Sequence, residues 1–132
     1  MATCRIDTDA SPQFALSCES WQKCGYSTVK SDVQDALAKI RKDHLACRCR
    51  PVPRFAAVLG DFQLLKYRQK NAGASEGARG GWRILALYHK QDGILYPILV
   101  YPKKEWADAP DKQVTGYIQE LLDSLREPRL NL

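Results

Sequence analysis

Apolar and polar positions along the chain are hard to read at the start and sharpen after residue 30. In residues 1–29, Arg5–Asp7 and Phe14–Ser17 can each be read as a short strand, and neither alternates far enough to extend. From Ser31 the spacing turns helical. Val33, Leu37, Ile40 and His44 recur on one face, which predicts a helix over about 31–45. Ser31 and Gln34 stand in capping-box spacing at its start. Arg50-Pro51-Val52-Pro53 stops it, because proline cannot continue a helix and restrains the residue before it.

Phe62–Arg68 reads as a strand with Phe62, Leu64, Lys66 and Arg68 on one face, half apolar and half cationic. Gln69–Gly81 carries glycines at 73, 77, 80 and 81 and reads as a mobile loop. Trp82–His89 and Ile94–Tyr101 are two β-rich runs joined through Asp92-Gly93, a hairpin signal. Pro97 removes one ladder donor from the second run, so a bulge or an open side belongs there. Asp108 is placed to cap a last helix with Pro110 in its first turn. Val114, Tyr117, Ile118, Leu121, Leu122 and Leu125 give that helix an apolar stripe, and Pro128 ends it. The order predicts one small α+β domain over residues 1–132, with helices packed on an antiparallel sheet. Residues 1–30 form an atypical extension, and the chemistry concentrates in residues 62–125.

Composition narrows the class. Apolar residues make up 45% and charged residues 27%, as in an ordinary globular protein. The apolar runs are far shorter than the roughly 20 residues of a membrane helix. Met1–Asp7 lacks the apolar stretch of a secretory signal, so a cytosolic protein is expected. The five cysteines fit that compartment, since an odd number cannot all pair in disulfides. His44, Cys47 and Cys49 with Cys18 or Cys24 can in principle build a zinc site, but H-x-x-C-x-C is not a standard spacing, and free thiols are the better reading. A net charge of +5 points to an anionic partner, nucleic acid or an acidic protein.

Neither histidine, His44 or His89, lies in a nucleophile or metal motif, and the glycines do not form a phosphate loop. Cations instead gather at strand ends. Lys66 and Arg68 leave the first strand, Arg79 and Arg83 flank the start of the second, and Lys103 and Lys104 leave the third. With Asp92-Gly93 as the whole turn, Arg83 shares a face with Pro102 and Lys104 rather than Lys103, and a bulge at Pro97 reverses that. Such a cluster can cleave RNA without histidine. The ribose 2′-hydroxyl attacks its own phosphate, and the protein orients the strand and stabilises the pentavalent phosphorus. Guanidinium forks match phosphate oxygens, and a lysine among cations has a depressed pKa and can act as a base. On charge placement alone, solvated strand-end charges are the better reading. Trp82 can stack a nucleobase or sit in the core beside Ile84 and Ala86.

Leu65-Lys66-Tyr67-Arg68, a loop, and Arg79-Gly80-Gly81-Trp82-Arg83-Ile84-Leu85 resemble the signature of RelE/HigB toxins of type II toxin–antitoxin systems. Val100-Tyr101-Pro102-Lys103-Lys104-Glu105, followed by acidic residues and a helix, is similar to the family's ending. The resemblance implies a messenger-RNA interferase that cuts on the ribosome, needs no metal or cofactor, and is held inactive by a cognate antitoxin. It places Arg83 at the transition-state phosphate, Lys66 as base or phosphate clamp, Arg68 beside it, and Lys104 as donor to the leaving oxygen. Arg79, Trp82 and Lys103 then fall among the RNA-binding positions. The chain departs from the family at Ala109-Pro110, where several members carry a tyrosine for which Tyr101 or Tyr88 could substitute, and in its cysteine-rich start. Two rival readings share the fold: a gyrase poison of the ParE type, and a degenerate homologue that only binds RNA or a partner.

Overall fold

The computed structural model describes residues 3–43, 49–52, 60–73 and 81–125. The chain runs β1 (Arg5–Ile6), α1 (Pro12–Lys23), α2 (Val29–Lys42), β2 (Arg50–Pro51), β3 (Phe62–Gln69), β4 (Trp82–His89), β5 (Ile94–Pro102) and α3 (Asp111–Ser124). The class is α+β, as expected. Among the described residues no helix is long and apolar enough to cross a membrane.

Three elements differ from the sequence reading. Phe14–Ser17 is helical, not a strand: Phe14 and Cys18 bury the same face of α1 one turn apart, and Pro12 stands in the first turn. The second helix starts at Val29, and the Ser31 hydroxyl donates back to the Thr28 carbonyl at 3.0 Å instead of capping the helix. Burial of Val29 and Asp32 draws the first turn of α2 onto the sheet and so moves its start forward. His44 lies outside the described residues. Finally, α3 begins after Pro110, so Asp108 is not its cap.

The five strands form one mixed sheet in the order β1-β5-β4-β3-β2. It is not purely antiparallel, because β1 pairs in parallel with Ile94 and Leu95 of β5. Both faces are covered. Leu65, Tyr67, Ile84 and Ala86 pack with Phe14 and Cys18 of α1 and with Val33, Ala36 and Ile40 of α2. Leu64, Leu85, Leu87 and Leu99 pack with Val114, Ile118, Leu121 and Leu122 of α3. Each fully buried leucine is worth about 1.5–3 kcal/mol. Past Leu95, β1 no longer pairs with β5, and α1 covers the edge with side chains. The Val100 N–H donates to Ser17 Oγ at 3.3 Å, and Trp21 Nε1 donates to the Val100 carbonyl at 2.8 Å.

The hairpin turn is longer than Asp92-Gly93 alone. His89 pairs with Ile94, so Lys90–Gly93 makes the connection, and Gly93 takes φ +66. A bulge then shifts the register: Ala86 pairs with Pro97 and Leu85 with Leu99, leaving Ile98 between them. The longer turn and this bulge, the latter anticipated from Pro97, together put Arg83 opposite Tyr101, so Arg83 does not share the face expected with Pro102 and Lys104. At this hairpin end, His89 Nε2 lies 3.0 Å from Asp61 and Nδ1 2.9 Å from Asp92. The histidine therefore belongs to the turn and not to the cationic end of the sheet.

The opposite end is locked by a close approach. A Cβ at Gly81 would lie 2.2 Å from the Gln69 carbonyl oxygen and 2.8 Å from the Asn71 nitrogen. Both are backbone atoms and cannot swing away. Gly81→Ala is accordingly expected to lower unfolding free energy by about 1–3 kcal/mol or more, measured by urea denaturation. Unchanged stability would show that the strand ends are not held so tightly.

Candidate functional site

One row across the middle strands differs chemically from the rest of the sheet. Arg68 on β3 stands opposite Arg83 on β4, which stands opposite Tyr101 on β5. Cross-strand partners point to the same face, so both guanidinium groups and the phenol share the face that α3 covers further along. Lys66, two residues before Arg68, lies on that face as well. Like charges placed directly opposite are destabilising in a sheet. Arg83 is only 4% exposed, Arg68 is exposed, and the Lys66 side chain is half-buried.

Environment tunes these groups. Burial, and then the Arg68 cation, lower the Arg83 guanidinium from its ordinary value, while Tyr101 acts in the opposite direction. Arginine remains protonated regardless. Arg83 also donates to the Trp82 carbonyl at 3.3 Å. The Tyr101 hydroxyl donates to Asp108 Oδ1 at 3.2 Å, and the same oxygen lies 3.9 Å from Lys66 Nζ. Burial, followed by the Asp108 carboxylate, pushes the Tyr101 hydroxyl up to about 12. Lys66 thus faces a carboxylate as well as cations, which corrects its expected all-cationic surroundings.

The other candidate positions separate. Trp82 is fully buried on the opposite face, so its ring is core and offers no stacking surface. Its Nε1 donates to Asp32 Oδ2 at 2.9 Å, and its ring meets Tyr26 edge-on at 5.3 Å. Lys103 turns its Nζ to the Ala107 carbonyl at 2.7 Å. Lys104 is exposed in the turn after β5. Arg79, and with it part of the loop, lies outside the described residues. So do His44 and Cys47; among the described residues, no group of three His, Cys, Asp or Glu could hold a metal ion.

Asp108 is the site residue that the sequence reading missed, and Tyr101 entered that reading only as one of two possible substitutes for the family tyrosine. Tyr101 joins Arg83 only because the bulge at Ile98 changes the register. Asp108 resembled a helix cap, yet the chain turns at Lys103–Glu105 and brings its carboxylate back to Lys66 and Tyr101. Together these groups form one polar patch at the end of the sheet: three cations, a hydroxyl held neutral by its surroundings and one carboxylate. No family model matches the chain, and no curated protein or solved structure matches it either.

A folded-state value above the ordinary phenol value means that the neutral form is favoured by folding. The stability contributed by Tyr101 is then full below about pH 10 and is lost as pH rises through about 12. In a spectrophotometric titration one tyrosine should ionise near 12, and Tyr101→Phe should remove that late component. A titration in which every tyrosine ionises near 10 would contradict this environment.

Proposed function

We propose that the chain is the toxin of a bacterial type II toxin–antitoxin pair, a messenger-RNA interferase of the RelE/HigB kind. The observation that supports this reading best is the Arg68–Arg83–Tyr101 row with Lys66 and Asp108 beside it. Placing two arginines opposite each other on a half-covered face opposes folding, so a bound anion is the natural reason for the arrangement. The resemblance of the Lys66–Arg68, Arg79–Leu85 and Val100–Glu105 blocks supplies the identity of that anion, an RNA phosphate. It also supplies the proposed partners: messenger RNA on the ribosome, and a cognate antitoxin in the cytoplasm.

In this account the ribose 2′-oxygen forms a bond to the neighbouring phosphorus, and the bond from phosphorus to the 5′-oxygen breaks. The products are a 2′,3′-cyclic phosphate and a 5′-hydroxyl. Asp108 takes the 2′-hydroxyl proton. Tyr101, neutral and bonded to Asp108, holds that carboxylate in place. Lys66, beside the same carboxylate, is an ammonium clamp on the phosphate rather than the base. Arg83 and Arg68 stabilise the charge that develops on the phosphoryl oxygens, where fixed donors act most strongly. Lys104, by resemblance, supplies the proton to the leaving 5′-oxygen.

The test is tightly induced expression in a bacterial host, with primer extension on a reporter message. Growth arrest with new 5′ ends inside the coding region is expected, and Arg83→Ala should reduce cleavage roughly 10²- to 10³-fold. Arrest with intact messages would move the target elsewhere, as for a gyrase poison. Normal growth from well-expressed protein would leave a protein that only binds.

A further inference from the structure

A groove of about 530 Å³ lies between α1 and α3, floored by Leu99 of β5. It has two unlike ends. At one, Gln13 of α1 donates its amide N–H to Glu120 of α3 and ties the helices together. At the other, three aromatic rings gather: Trp21 of α1, Trp106 of the turn after β5, and Tyr117 of α3. Trp21 and Trp106 meet edge-on with centroids 5.4 Å apart, and both line the groove. Each of the three rings is only partly buried. Gln113 stands at this end too, its amide N–H donating to the Tyr117 hydroxyl at 2.9 Å. That hydroxyl can still donate its own proton, and the Gln113 carbonyl can accept one.

The aromatic end adjoins the cationic row. The Trp106 ring lies 5.5 Å from that of Tyr101, and Tyr101 is the strand partner of Arg83. A ligand reaching from one to the other must be flat and aromatic, with donors and acceptors on its edge, and must carry negative charge a short distance away. A nucleotide has that constitution. We infer that this groove is a nucleobase subsite, in which Trp106 and Tyr117 stack a base and Gln113 reads its edge while Arg83 and Arg68 hold the attached phosphate. Aromatic platforms beside cations serve single-stranded nucleic acid in this way, and amides distinguish base edges. The inference rests on the phosphate reading of the row for the orientation of the ligand, and on the groove itself for the base.

The consequence is base preference set by groove residues that include neither Lys66 nor the arginines. Calorimetric titration with AMP, GMP, CMP, UMP and ribose 5-phosphate tests it on the full chain. At least one nucleotide should bind about tenfold tighter than ribose 5-phosphate. Gln113→Ala, a half-buried position on the rim of α3, should flatten the ranking among bases while ribose 5-phosphate binding stays as it was. Trp106→Ala should remove the nucleotide advantage, and Trp106→Phe should restore part of it. A dinucleotide binding tighter than its best mononucleotide would assign the subsite to an RNA strand, and equal affinity would assign it to free nucleotide. Equal binding of all five probes, or a ranking untouched by both the Gln113 and the Trp106 changes, would overturn the subsite. Arg83→Ala separates the two readings. It should weaken all five probes alike; if it weakens none while Gln113→Ala still flattens the ranking, the phosphate row fails and the base groove stands.

Discussion

The arrangement of the cationic end depends on one buried carboxylate. Asp32 of α2 is 3% exposed, and its Oδ2 accepts from the Thr28 hydroxyl at 2.8 Å, the Ala72 N–H at 3.1 Å and Trp82 Nε1 at 2.9 Å. These donors come from the start of α2, the chain leaving β3, and the first residue of β4. A carboxylate removed from water would be costly alone, but hydrogen bonds to a charged group each return about 1.5–3 kcal/mol. The knot fixes where β4 starts relative to where β3 ends. Gly81 completes it, since only a residue without a side chain lets β4 begin so close to Gln69 and Asn71. With Trp82 directed into this knot, Arg83 must point to the other face.

That alternation links packing to chemistry. The face toward α1 and α2 receives Trp82 and packs a largely apolar cluster beside one satisfied carboxylate. The face toward α3 receives Arg83, flanked by Arg68 and Tyr101, at the end of a row of leucines. The fold therefore holds two arginines together by geometry set elsewhere, although their mutual repulsion works against it. Asp108 offsets part of that cost from the turn after β5 and brings the only carboxylate the described contacts place at Lys66. Rigidity on one face thus sustains charge density on the other, which is what a site for a diffuse anionic transition state requires.

Much of this was legible in the sequence, for reasons that differ by element. The β3, β4 and β5 runs are rich in β-branched and aromatic residues, and their bounds follow within a residue or so of the pattern. The α3 stripe was equally plain. The first helix was obscured because Phe14–Ser17 is too short a window to separate a strand from one helical turn. Lys66, Arg68 and Arg83 were visible as strand-end cations, but the alignment of β3 with β4 that sets Arg68 opposite Arg83 crosses a long loop whose length fixes no register. Tyr101 was legible only as one of two tyrosines, with Tyr88, that could replace the missing family tyrosine, because its place beside Arg83 depends on the β5 bulge, whose register Pro97 suggests without fixing. Asp32 gave no signal, because an aspartate in a helix reads as surface until its partners are known. Asp108 looked like a cap because short polar residues before a helix commonly are.

The central claim is that the Arg68–Arg83 row was built to hold phosphate, and the salt dependence of RNA binding tests it most directly. Affinity for a short single-stranded RNA should fall linearly on a logarithmic salt scale, by about 0.7 per phosphate neutralised. Arg83→Ala and Arg68→Ala should each weaken binding and flatten that slope by roughly this amount. Slopes identical to wild type in both variants would contradict the account and leave the arginines as structural charges at the end of a sheet.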